Sequence, residues 1–125
     1  MPLIFVAYML LLTGVSFRME ILVYATERGK MPYQSWLSKL DRQIRAMINT
    51  RLDRVELGLF GDHEFLEKSI WEFKLHFGPG YRIYFSKLKQ ETAVLLLLGG
   101  LKKTQKRDIK KAIDLFEDFK KRYVV

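Results

Sequence analysis

The period of the hydrophobic pattern changes along the chain. Between Ser69 and Ser86 apolar and polar residues alternate. Trp71, Phe73, Leu75 and Phe77 fall on one side, and Glu72, Lys74 and His76 on the other. After Gly78-Pro79-Gly80 the alternation resumes, with Tyr81, Ile83 and Phe85 against Arg82, Tyr84 and Ser86. A period of two predicts two strands joined by a tight loop. Residues 92–98, TAVLLLL, are continuously apolar, as in a strand covered on both faces. Ile21 to Tyr24 predicts a further, first strand.

Helical spacing occupies the rest. Pro32 suits a first helical turn, and Tyr33, Trp36, Leu37 and Leu40 follow at helical intervals. A second helix is expected from about Asp41, with Ile44, Met47, Ile48, Val55 and Leu59 on one stripe. Arg42, Arg45, Arg51 and Arg54 lie on its other face. Gly58 and Gly61 end it, and GDHEF (61–65) reads as a loop. After GGLKKTQKRD a final helix carries Ile109, Ala112, Ile113, Phe116 and Tyr123 as its apolar stripe. The order is strand, helical hairpin, antiparallel three-strand meander, C-terminal helix. That is an α+β domain with a sheet packed on helices.

Register follows from the buried face. A slip of one residue would set core residues against polar ones, so the hairpin loop must be odd. Taking Gly78-Pro79-Gly80 as the loop sets Phe77 opposite Tyr81, Leu75 opposite Ile83 and Phe73 opposite Phe85. His76 then faces Arg82, and Lys74 faces Tyr84.

Residues 2–17, PLIFVAYMLLLTGVSF, carry no charge. They are short of the roughly 20 apolar residues of a membrane span. They also lack the positive n-region and A-x-A-like site of a signal peptide. The reading adopted is that translation begins at Met19, with 1–18 otherwise an apolar extension and 19–125 one domain. A membrane partner and a further targeting role are not expected, and a cytoplasmic location is.

Charge narrows the partner class. There are 22 Lys and Arg against 14 Asp and Glu, a net charge of +8, which favours a polyanion. There is no Cys and there are two His, so neither a disulfide frame nor a Cys/His metal site is expected. No cofactor is implied. The expected convergence of Lys74, His76, Arg82 and Tyr84 suits metal-free RNA chemistry. Two cations would neutralise a scissile phosphate, and His or Tyr would move protons to and from the ribose. Against this stands the ordinary role of such residues as decoration on an exposed sheet face.

The segments WEFKLHFGPGYRIYF and LLLLGGLKKTQKRDIKKAIDL, with WLSKLDRQIRAMINTRLDRVELGLFGD before them, resemble the addiction-module killer proteins. These form a HigB-like branch of the RelE/ParE toxin superfamily. The resemblance covers about residues 19–123 and implies a RelE/ParE-like fold. It further implies a ribosome-dependent mRNA endonuclease acting as the toxin of a type II toxin–antitoxin module. The implied partners are a cognate, helix-turn-helix antitoxin, the ribosome and mRNA. By position, Arg82, Lys102 and Gln105 match the hairpin Arg, the Lys after the double Gly and the nearby Gln. Lys74 stands where the family usually has Arg, and Leu101 where it commonly has Asp. Lys keeps the charge but loses the bidentate fork. The expected site is therefore Arg82, Lys74, His76 and Tyr84 for catalysis, with Lys102, Gln105, Arg51 and Arg54 binding RNA. The rival readings are a ParE-like inhibitor of DNA gyrase and an inactive relative kept for antitoxin binding.

Overall fold

The computed structural model describes residues 18–123. The apolar run at 2–17 lies outside them. Strand β1 (Glu20–Val23) leads to helix α1 (Pro32–Ser38) and helix α2 (Arg42–Glu56). Four strands follow: β2 (His63–Glu67), β3 (Ile70–Leu75), β4 (Tyr81–Leu88) and β5 (Ala93–Leu101). A short 3₁₀ turn, Lys102–Thr104, then opens helix α3 (Gln105–Arg122). The five strands form one sheet in the order β1-β5-β4-β3-β2, with β1 parallel to β5 and the other pairs antiparallel. The expected α+β class and C-terminal helix are present.

The meander gains a fourth strand. The stretch read as a loop contains the start of β2, an edge strand with a bulge between Phe65 and Glu67. Its alternation is weak because Phe65, on the core-facing parity, is 52% exposed. Exposure at a sheet edge removes the contrast on which period-two patterns depend.

The sheet is covered on both faces. Tyr33 and Leu37 of α1 and Ile48 and Val55 of α2 pack on Phe73, Ile83, Phe85 and Leu96. Ala112 and Phe116 of α3 pack on Tyr84, Leu95, Leu97 and Leu98. A bulge between Tyr84 and Phe85 shifts the β4–β5 register. It lets Leu97 and Leu98 serve the same layer, and β5 is buried along nearly its whole length. On α2 the expected stripe holds at Ile48 and Val55, whereas Met47 and Leu59 are exposed.

The hairpin keeps its expected parity but not its register. Phe73 pairs with Ile83, Leu75 with Tyr81, Glu72 with Tyr84 and Lys74 with Arg82. The loop is five residues, 76–80, rather than three. A two-residue displacement returns every side chain to its own face, so the apolar pattern cannot distinguish the two registers. The loop's own geometry selects the wider one. Gly78 and Gly80 adopt φ of 55° and 80°, and the Gly80 N–H donates to the Phe77 carbonyl at 3.0 Å. The Gly80 carbonyl in turn accepts from the Lys102 N–H at 2.8 Å, tying the loop to the end of β5. Phe77 stays against Tyr81, 5.2 Å between ring centres, without pairing to it.

Candidate functional site

The displaced register sets the two strand cations directly across from each other. Lys74 of β3 and Arg82 of β4 are partners on the α3 side of the sheet. One step along, Glu64 of β2 pairs with Glu72 of β3 on that same side. The four charges interlock. Lys74 Nζ donates to Glu64, and Arg82 Nε lies 3.6 Å from Glu72 Oε1. Gln105, in the first turn of α3, donates from Nε2 to both Glu72 oxygens at 2.9 and 3.1 Å. Glu72 is completely buried and Arg82 is 5% exposed. Burial raises the Glu72 carboxyl above its ordinary pKa, while Gln105 and Arg82 pull the other way. The hydrogen bond from Lys74 to Glu64 raises the lysine. Arg82 Nη1 donates to the Tyr81 carbonyl at 3.1 Å, and Nε has no hydrogen-bond partner among the described residues.

The double glycine positions this cluster. Neighbouring strand residues face opposite sides of a sheet. A side-chain carbon on Gly99 would fall 2.0 Å from the Trp36 ring of α1. One on Gly100 would fall 2.1 Å from Asp108 Oδ2 of α3. Both helices therefore rest on bare backbone here. Thr104 donates to Asp108 Oδ2 at 2.5 Å and accepts from the Leu101 N–H at 3.3 Å, fixing the turn into α3. That turn brings Lys102 against the hairpin loop. A side-chain carbon on Gly80 would lie 3.3 Å from Lys102 Cβ and 3.6 Å from Arg82 Nη1. Leu101, opposite Tyr81, packs into the core beneath α1, away from Arg82.

Lys74, Arg82, Lys102 and Gln105 thus come together, with Tyr84 on the same face opposite Glu72, and three other expected residues do not join them. His76 lies beyond the end of β3, its Nε2 2.5 Å from Asp62 Oδ2. It leaves Arg82 because the wider loop includes it. Tyr84 is fully buried under α3, its hydroxyl without a partner among the described residues. Burial pushes that phenol well above its usual range, so it has no route to a proton in solution. Arg51 is not a free surface cation. It donates from Nε to the Phe60 carbonyl (3.0 Å), from Nη1 to that of Lys74 (2.9 Å) and from Nη2 to that of Asp62 (2.5 Å). Burial lowers its pKa. Gly61 is required beside it, since a side-chain carbon there would meet the guanidinium at 2.8 Å. Arg54 is exposed on α2, on the far side of the sheet from Arg82.

Sequence reasoning passed over Glu72. A signal was present: β5 is apolar throughout, which implies cover on both faces. Polar residues on adjacent strands then share that cover.

The matching family model is the phage-derived protein Gp49-like family (DUF891), over residues 35–120. The chain belongs to this family. A relative in Haemophilus influenzae, described as an uncharacterized protein, is 42% identical over 83 residues, covering 66% of this chain and 83% of its own. Among solved structures, the isolated E. coli RelE toxin is similar with a TM-score of 0.47 at 15% identity. That match spans 77% of this chain and 98% of that one. Among the described residues of this Gp49-like protein, no helix is long and apolar enough to cross a membrane.

Proposed function

We propose that this protein is the toxin of a type II toxin–antitoxin module, in the HigB-like manner, and cuts mRNA on the ribosome in the cytoplasm. The observation that carries the reading is the pairing of Lys74 with Arg82 on one sheet face, with Lys102 beside the same hairpin loop. Two of these cations pair across the strands and the third stands beside their hairpin loop, in a protein of net charge +8. Such an arrangement stabilises charge developing on a phosphodiester. In the step proposed, the ribose 2′-oxygen forms a bond to phosphorus as the bond to the 5′-oxygen breaks. The 2′-proton passes to solvent or a partner group, and the leaving oxygen takes one up. A 2′,3′-cyclic phosphate and a 5′-hydroxyl result. Arg82 and Lys74 would neutralise the non-bridging oxygens, with Glu72 and Gln105 holding Arg82 in place. No imidazole or accessible phenol stands in this cluster. Alignment of the strand by the ribosome is therefore expected to supply much of the acceleration. A helix-turn-helix antitoxin is the proposed partner that silences it.

Brief induction followed by primer extension tests this. Transcripts should be cut within codons, and Arg82→Ala should lower cutting by about 10²-fold or more. Lys74→Ala, at a position whose side chain is 24% exposed, is the companion variant that leaves the core intact. Cutting by both variants at the wild-type level would remove the site assignment.

One observation favours a second reading. Arg82 is nearly inaccessible and already faces a carboxylate, which suits a binding module better than a nuclease. This would be a gyrase inhibitor or an inactive relative retained for antitoxin binding. Inhibition of supercoiling with intact transcripts would select the first of these. Soluble expression without toxicity would select the second.

A further inference from the structure

On the other side of the sheet from Arg82, α2 and the start of the hairpin loop border an open cleft of about 290 Å³. Its walls combine two chemistries. Met47, Leu75 and Phe77 give it an apolar side, with Met47 46% exposed. Arg54 and His76, both exposed, give it a polar one. The polar side is built rather than incidental. Arg51 grips the Asp62 and Lys74 carbonyls, and the Lys74 N–H donates to the Asp62 carbonyl at 3.0 Å. Asp62 is thereby fixed, and its carboxylate sits 2.5 Å from His76 Nε2. That contact and the nearby cations hold the Asp62 carboxyl below its usual pKa. An ionised carboxylate accepts, so His76 Nε2 carries the proton. The opposite ring nitrogen, Nδ1, makes no hydrogen bond with a described residue and is left to accept one from a ligand hydroxyl.

We propose that this cleft binds a single nucleotide unit, with its phosphoryl group on Arg54, a ribose hydroxyl donating to His76 Nδ1, and its base against Phe77 and Met47. The size fits. Small-ligand pockets run from roughly 300 Å³ upward, so the cleft takes one base and its phosphate but not a duplex. The chemistry fits as well. Arg54, which makes no side-chain hydrogen bond among the described residues, can make a charge-assisted bond to phosphate, and Arg51 adds positive charge with three of its five donors held by carbonyls. An aromatic and a thioether side chain offer the sequence-tolerant stacking and packing that a base requires. The site is distinct from the Lys74–Arg82 face and does not depend on the nuclease reading.

The test uses the ¹⁵N-labelled full chain, titrated with adenosine 5′-monophosphate, with adenosine, with inorganic phosphate and with a three-residue single-stranded RNA. The expected result is saturable shifts at the His76 ring and Arg54 Nε with the nucleotide, and weaker binding of either fragment alone. Arg54→Glu should weaken nucleotide binding by about tenfold, the loss of one charge-assisted contact. Lys121→Glu, which changes the net charge equally, should weaken it much less. Tighter binding of the RNA with the same shifts assigns the phosphate to a strand, and tighter binding of the mononucleotide assigns it to a free nucleotide. Equal loss in the two charge variants, shifts centred on Arg82 and Lys102, or no shift at His76 would overturn the proposal. None of the four probes needs to be cut, so the outcome is separable from any nuclease assay.

Discussion

Beneath α1 and α2 the sheet presents Phe73, Ile83 and Phe85; beneath the start of α3 it presents Glu72, Arg82 and Gly100, and all six are buried. The apolar face is held by packing, with Phe73 stacked on Phe85 at 4.0 Å between ring centres. The polar face is held by partners: Glu72 has Gln105 and Arg82, and Asp108 has Thr104. Packing tolerates one kind of change, the conservative change of volume. A buried polar network tolerates almost none, because removing one member strands another. The comparison teaches that burial alone does not separate core from site. What separates them is whether the buried groups could be replaced by hydrocarbon without leaving a charge behind.

Three changes probe that contrast. Phe73→Ala should cost the most, about 3–5 kcal/mol in denaturant unfolding, through the lost transfer and the cavity left behind. A cost below about 1 kcal/mol would mean that the apolar face is not tightly packed. Glu72→Gln tests the polar face through pH. The folded-state pKa of Glu72 is raised above its ordinary value of 4.5, so the folded state holds this proton more tightly than the unfolded one. Its stabilising effect is present at acid pH and is lost as pH rises through the interval between the two values. The wild type should therefore lose stability relative to Glu72→Gln across the range above 4.5. Each unit of displacement is worth about 1.4 kcal/mol. Parallel pH profiles would show that Glu72 is better solvated than its burial implies. Tyr84→Phe should have the smallest effect. It removes a buried hydroxyl without a partner, so stability should hold or rise by up to about 1 kcal/mol. RNA cutting should not change; a large loss would restore Tyr84 as a catalytic residue.

The elements themselves were legible because each repeats its period several times. Three helices and four of the five strands follow from spacing alone, and so does the parity of the hairpin. The fifth strand, β2, was not legible, since an edge strand exposing Phe65 loses its alternation. The register was not legible for a sharper reason. Parity excludes even loops but cannot choose among odd ones. The choice rests on the Gly80 contacts to Phe77 and Lys102, and the second of these joins residues far apart in sequence. Arg51 shows the same limit. Its acceptors are carbonyls of Phe60, Asp62 and Lys74, and carbonyls leave no mark in an amino-acid alphabet. On α2 its charge looked the same as that of Arg54, yet one is a structural clamp and the other makes no side-chain hydrogen bond or ion pair among the described residues.

The Gly99-Gly100 pair carries a lesson for how motifs are parsed. Glycines that precede a Lys and a helix invite comparison with loops that wrap a phosphate. Here each glycine answers to a different helix, one to Trp36 and one to Asp108, and neither is spare for a ligand. The two letters record how closely α1 and α3 approach the backbone of β5. The chemical content of GGLKKTQ begins only afterwards, at Lys102 and Gln105. A chain that kept the glycines and changed those two residues would preserve the architecture and carry a different message.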